Sequence, residues 1–430
     1  KMKKYFCRIM NAKEKICFPF FLTAAIFLSA LQPGLYAQEL TWEDCVKEAA
    51  VNHPGLISAE ETVKQYRESE KIVFSGVLPK VDSSLDAGTS KTQDSYSYGL
   101  SGTQLLFDGL KTPEKFNAAL ENTRAAKFQF NYTSASVRLA LRRAFVNLLK
   151  AQEALKLSGE IYEIRRGNLE LITLRYESGI EHRGAFLTAL ANLARAELEI
   201  AQNRRALEVA RLSLLKEIGA GGYREISVKG GLDLLEPAEE KPDLEKLAEG
   251  HPSLRRLSSL SNAAAFNVKA AQGDFLPQLS ASAGANKSGS RWPPRTEQWN
   301  AGLTLSLPVF EGGSRAAEVS KARAAWNQAR ADERGGRDAV VLALQEAWAA
   351  LQDAREAVGV EKKFLEAVEE RSRIAESQYS LGLIDYDNWT IIEDNLVQEK
   401  KAFLDARANA LLKEAEWQEA KGVTLEYAYQ

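Results

Sequence analysis

The chain has 430 residues, of which 45% are hydrophobic and 27% charged, the composition of a folded protein with room for two or three ordinary domains. Its formal charge of −2 gives no basic excess of the kind that nucleic-acid binding needs. Cys45 is the only cysteine beyond residue 37, so an internal disulfide is excluded once a leader is removed.

Such a leader is expected at the start. Lys1, Lys3, Lys4, Arg8, Lys13 and Lys15 precede an apolar run from Phe18 to Leu31, and small and turn residues follow as far as Ala37. The run is shorter than the roughly 20 residues a spanning helix requires, so residues 1–37 read as a signal peptide cleaved near Ala37-Gln38. Its loss leaves 50 basic and 57 acidic residues, a net charge of −7. No later stretch is apolar enough for a transmembrane helix. Entry into a membrane would fall to strands.

The rest is a duplication. His53-Pro54 recurs as His251-Pro252 and Leu78-Pro79 as Leu276-Pro277, both at an offset of 198. Phe107-Asp108-Gly109 recurs as Phe310-Glu311-Gly312, and Tyr176–Ile180 as Tyr379–Leu383, now at 203. The five extra residues fall between these two groups of anchors, where a hairpin tip is expected to vary. The spacing predicts a first unit over 39–219, with a β-hairpin at 78–107 and a helical hairpin at 112–218. A linking segment spans 220–250. A second unit covers 251–422, with a β-hairpin at 276–310 and a helical hairpin at 314–421. Residues 423–430 form a tail.

The hairpins show period-two alternation. Trp299, Ala301, Leu303, Leu305, Leu307 and Val309 interleave with Asn300, Gly302, Thr304, Ser306 and Pro308. In the first copy Val81, Leu85 and Ala87 oppose Asp82, Ser84 and Asp86, and Tyr96, Tyr98 and Leu100 mark the returning strand. Thr112-Pro113 suits an N-cap and first helical position. A heptad ladder then runs Leu141, Leu148, Leu155, Tyr162, Leu169, Tyr176, and its copy Leu344, Leu351, Val358, Leu365, Ser372, Tyr379. A helix from Pro113 to Tyr176 would be about 95 Å long. The chain turns at Gly179 and Gly382, and Gly335-Gly336 marks a soft spot or kink in the second long helix.

Four strands cannot close a barrel, and lipid does not tolerate an open sheet edge. Helical hairpins of this length cannot bury their apolar stripes in one globule. Several identical chains in a ring solve both problems, and three chains would supply enough strands for a barrel. The nearest rival, a periplasmic scaffold without a pore, has no use for strands with one small-polar face. No catalytic, phosphate-binding or metal-ligating grouping stands out, so neither an enzyme nor a cofactor is expected. His53 and His251, each before a proline, read as caps.

Taken together and in order, these motifs resemble the TolC outer-membrane efflux proteins over residues 39–422: signal peptide, duplicated His-Pro helix starts, Leu-Pro strand starts, Phe-acid-Gly strand ends and Tyr-x-x-Gly helical tips. The resemblance implies a mainly α protein with a β-barrel portion, a homotrimer whose twelve-stranded outer-membrane barrel continues into a periplasmic α-helical tube. It implies a passive exit duct for efflux or secretion, partnered by a periplasmic adaptor, an inner-membrane transporter and outer-membrane lipid. Adaptor docking would fall to Arg175, Tyr176, Gly179, Gln378, Tyr379 and Gly382. The family's usual gate aspartate aligns with Asn388, and Asp385 and Asp387 are the acidic candidates nearby. Tyr96, Tyr98, Trp292 and Trp299 are candidates for an interfacial aromatic belt, with loop packing as the alternative.

Overall fold

The computed structural model describes residues 38–91, 93–233 and 241–425; the expected leader lies outside them, as do residues 426–430 of the tail. A short strand β1 (Gln38–Leu40) leads into helices α1 (Trp42–Asn52) and α2 (Pro54–Phe74). Strands β2 (Lys80–Thr89) and β3 (Asp94–Asp108) form a hairpin, followed by α3 (Lys111–Glu177) and α4 (Arg183–Glu217). Strand β4 (Ile226–Val228) and α5 (Leu244–Gly250) belong to the connection. The second unit repeats the pattern as α6 (Pro252–Gly273), β5 (Gln278–Gly289), β6 (Thr296–Ser306), α7 (Ser314–Ser380) and α8 (Tyr386–Ala420). The paired helices match in length, 67 residues for α3 and α7 and 35 for α4 and α8. At 1.5 Å per residue the long ones span about 100 Å.

Local chemistry explains most of the boundaries. His53 and His251 cap α2 and α6 through Nδ1, which accepts the N–H of Gly55 at 3.1 Å and of Ser253 at 3.2 Å. The proline after each histidine fills a first-turn position that needs no N–H. Helix α3 begins at Lys111, ahead of the expected Thr112 cap. The N-cap position falls to Leu110, which has no side-chain bond to offer, and Asp108 serves the first turn instead, its carboxylate accepting from the Thr112 N–H at 2.8 Å and from its hydroxyl. In the second copy the equivalent Glu311 instead grips Arg315 with two bonds of 2.9 Å.

Gly335-Gly336 does not interrupt α7, which is helical throughout. A Cβ on Gly336 would come within 2.2 Å of Leu257 Cδ1, so this glycine serves the close approach of α6.

The four long strands form one antiparallel sheet in the order β2-β3-β5-β6. The register places Leu85, Tyr98, Lys287 and Glu297 side by side across it, with Ser83, Leu100, Ala285 and Trp299 in the next row. One face is therefore mostly apolar. The other carries Asp82, Ser101, Gly284 and Asn300 in a row, and is polar or small except at Leu105. The apolar face is uncovered: Val81, Leu100, Leu303 and Trp299 are all exposed, Trp299 by 82%. Strands β2 and β6 leave free edges.

The helices pack as a layer with two levels. Next to the sheet the order is α2-α3-α6-α7, and beyond it α4-α3-α8-α7. Between the levels lies the main core, where Leu141, Phe145 and Leu148 of α3 meet Cys45, Leu214, Ile218 and Leu411. The parallel pair β1–β4 closes over it, held by Gln152, whose side chain bonds both the N–H and the C=O of Val228. Burial in this core pushes the Cys45 thiol up to about 12. A second core joins Trp348 and Trp417, rings 5.3 Å apart, to Ala248 of α5.

The flanks of the layer remain apolar and uncovered. Leu198, Val209 and Leu212 are exposed on α4, and Leu342, Val360 and Phe364 on α7.

Candidate functional site

Both helical hairpins end in the same closure. Gly179 and Gly382 have φ of 75° and 74°, the left-handed conformation that glycine adopts without steric cost. The N–H groups of Ile180 and Leu383 reach back to the carbonyls of Arg175 and Gln378, each at 2.9 Å, which satisfies the last turn of α3 and of α7. The returning helices begin on equivalent caps of different chemistry. His182 Nδ1 accepts the Ala185 N–H at 3.0 Å, and Asp385 Oδ1 accepts the Asn388 N–H at 2.8 Å. Sequence reasoning passed over this role for both residues; their shared offset of 203 is the signal that reveals it.

The tips differ in what their tyrosines do. Tyr379 is fully buried, and its ring stacks on Trp389 with centroids 4.5 Å apart and planes within 5°. Tyr386 meets both rings edge-on. From the other hairpin Arg175 lays its guanidinium over Tyr379, 4.6 Å from the ring centre. Tyr379 donates its hydroxyl hydrogen to Glu181 at 2.8 Å, and Arg175 Nε stands 3.8 Å from the same carboxylate. Burial and this bond to Glu181 push the Tyr379 hydroxyl upward, so it stays protonated. Arg175 and Tyr379 thus form a clasp between hairpins.

Tyr176 lies elsewhere. It is partly exposed and stacks on Phe186 of its own hairpin at 5.5 Å. The heptad ladder explains the split. In α7 the buried line runs Leu344, Leu351, then Ser372 and Tyr379, on the ladder. In α3 it leaves the ladder after Leu148 and continues at Ser158, Arg165 and Ile172, so Tyr176 is off the seam. A straight helix drifts by about 20° per heptad, and without supercoiling a seam moves around it.

Behind the clasp is a small cluster of polar groups, buried except for Asp394. The Ser372 hydroxyl donates to Glu393, and Arg165 pairs with Asp394. Burial raises Glu393 above the ordinary glutamate range.

The exposed tip surface is aliphatic. Ile180, Leu381 and Leu383 are 65%, 75% and 69% exposed, and Gln378, Asp385, Asp387 and Asn388 are exposed around them. Of these, Asp385 is committed to its cap. Trp389 and Tyr386 anchor the tip from within, a role the sequence signals only by an i, i+3 aromatic pair after a capping aspartate.

At the opposite end, Trp292 packs on Tyr96 and Tyr98 with centroids 6.2 and 6.0 Å apart, while Trp299 stands free on the same apolar face. Near the sheet–helix junction Phe107, Phe275 and Phe310 are also exposed, a second aromatic group that the alternation did not single out. No helix among the described residues is long and apolar enough to cross a membrane.

A sheet with one uncovered apolar face, joined to helices about 100 Å long with uncovered apolar flanks, defines a subunit of a membrane-inserted channel. The chain belongs to the outer membrane efflux protein family, whose model matches residues 45–220 and 244–423. Outer membrane efflux protein BepC of Brucella suis is 21% identical over 357 residues, covering 81% of this chain and 78% of the relative. Alkaline protease secretion protein AprF of Pseudomonas aeruginosa is 24% identical over 290 residues, 62% of this chain and 60% of the relative. Among solved structures, CusC superposes with a TM-score of 0.80 at 17% identity, covering 90% of this chain and 95% of that one. The protein is an outer-membrane channel, the exit component of an efflux or secretion system.

Proposed function

We propose that three copies assemble side by side, with β6 of each pairing β2 of the next, to close a twelve-stranded barrel that conducts substrate passively out of the cell. The free edges and uncovered flanks carry this reading. β2 and β6 lack outer partners, and the exposed aliphatics of α4 and α7 lie on the two flanks of the helical layer that would meet in a ring. The apolar face then contacts lipid and the polar face lines the pore. From Tyr98 to Phe107 the strand runs about 30 Å, which at a tilt of 35–45° spans about 21–25 Å of membrane, close to the height of a barrel's apolar band.

The helical tips receive a periplasmic adaptor, which links the channel to an inner-membrane transporter that supplies the energy. Tyr176, Ile180, Leu381 and Leu383 offer the adaptor an exposed apolar surface around Gly179 and Gly382. Asp387 and Asn388, exposed and free of capping duty, are the gate candidates that remain.

Paired cysteines at Ser84 on β2 and Gly302 on β6 test the assembly in outer-membrane preparations. Oxidation should give crosslinked trimers with some pairing of register-shifted variants, and the purified protein should show single-channel conductance in a planar bilayer. Recovery as a soluble monomer that neither crosslinks nor conducts would overturn the reading.

A further inference from the structure

The two β-hairpin tips have diverged far more than the strands beneath them. The first is a tight polar turn, closed by bonds between Ser90 and Gln93 at 2.9–3.2 Å. The second holds the sequence Ser-Arg-Trp-Pro-Pro-Arg over residues 290–295 and belongs to the segment that is five residues longer. It folds back over the apolar face of the sheet: Pro294 is buried against Gly289, and Trp292 seats its ring on Tyr96 and Tyr98. Two exposed arginines, Arg291 and Arg295, flank this aromatic seat. Neither has an ion pair among the described residues. The neighbouring cation Lys287 is already held by Glu297 at 2.6 Å, and Asp94 accepts from the Thr89 hydroxyl at 2.7 Å.

We propose that this loop binds the anionic phosphate headgroup of a lipid in the outward leaflet, with Arg291 and Arg295 on the phosphate and Trp292 against the upper acyl chain. The inference rests on the barrel reading above, which turns the apolar face toward lipid. Tyrosine and tryptophan settle at headgroup depth, where one end of the side chain is apolar and the other wet. A guanidinium fits phosphate with two parallel N–H donors and gives up its hydration more readily than an ammonium. The charge is thus placed at the depth where phosphate lies, on the side where lipid lies. A soluble anion would gain nothing from the aromatic seat.

The test uses the full chain in nanodiscs of phosphatidylcholine with and without phosphatidylglycerol, with retained lipid counted by native mass spectrometry. The wild type should retain phosphatidylglycerol in preference to phosphatidylcholine. R291S/R295S should lose that preference, by about fivefold for each arginine. K91S, in the other tip, should keep it. An excess of inorganic phosphate should leave the retained lipid in place; its full displacement would indicate a free-phosphate site and overturn the lipid proposal. Equal enrichment by wild type and R291S/R295S would overturn it too. Normal conductance without enrichment sinks the lipid site alone, whereas failure of the wild type to insert sinks the channel reading and the lipid site with it.

Discussion

The helical tips of the two copies share length, glycine turn and carbonyl closure, yet one is built around a buried aromatic stack and the other supplies the arms that hold it. Tyr379 is enclosed by Trp389 and Tyr386 of its own hairpin, while Arg175 and Glu181 reach across from the other. Its counterpart Tyr176 remains at the surface. Duplication set two equal tips, and a shift of the buried seam in α3 made them complementary. The gain is a contact within each chain that ties its two hairpins together at the channel's periplasmic end, using side chains that in a strict repeat would do the same thing twice.

Breaking the stack should have the largest effect. Trp389→Ala removes a buried indole from both Tyr379 and Tyr386, a loss of about 3–5 kcal/mol. The expected outcome is loss of hydrogen-exchange protection in both tips, with the main core around Leu141 and Leu411 unchanged. Loss confined to the second tip would show that the hairpins do not depend on one another there. Arg175→Ala should follow, costing about 1–2 kcal/mol through the lost contact with the Tyr379 ring and the lost partner of Glu181. Arg175→Lys should recover only part of it, because an ammonium cannot lie flat on the ring. A full rescue by lysine would mean that charge alone matters.

The repeat made the large features legible. One offset of 203 carries the ends of α3 and α4 onto those of α7 and α8, and strict alternation at Trp299–Leu305 reports a sheet with two unlike faces. What stayed hidden depends on space rather than on local pattern. Arg175 and Tyr379 are 204 residues apart, and the heptads of α3 continue in sequence to Tyr176 while the buried seam has already moved to Arg165 and Ile172. Gly335-Gly336 reads as a soft spot or kink because glycine is poor in helices, yet Gly336 lies where a Cβ would meet Leu257. Asp385 looks like a charge near a pore, and its geometry makes it a cap, the role His182 fills in the first copy.

The smallest effect expected is the pH response of Glu393, and it sharpens the comparison because the first tip has no equivalent. Burial disfavours its carboxylate, and Glu376 and Asp394 add to that, while the Ser372 hydroxyl and Arg165 oppose it; the balance lies above the ordinary glutamate range. The folded tip therefore binds a proton more tightly than the opened one. Stability should rise as pH falls through the folded value and level off below the ordinary range. Mild acidification should increase protection factors for α8 near Glu393 and leave the end of α3 near Glu177 almost unmoved. Glu393→Gln should abolish the pH dependence and hold the protected state at neutral pH. A decrease in protection on acidification would show that the ion pair of Arg165 with Asp394, rather than the buried Glu393, governs how firmly this tip is closed.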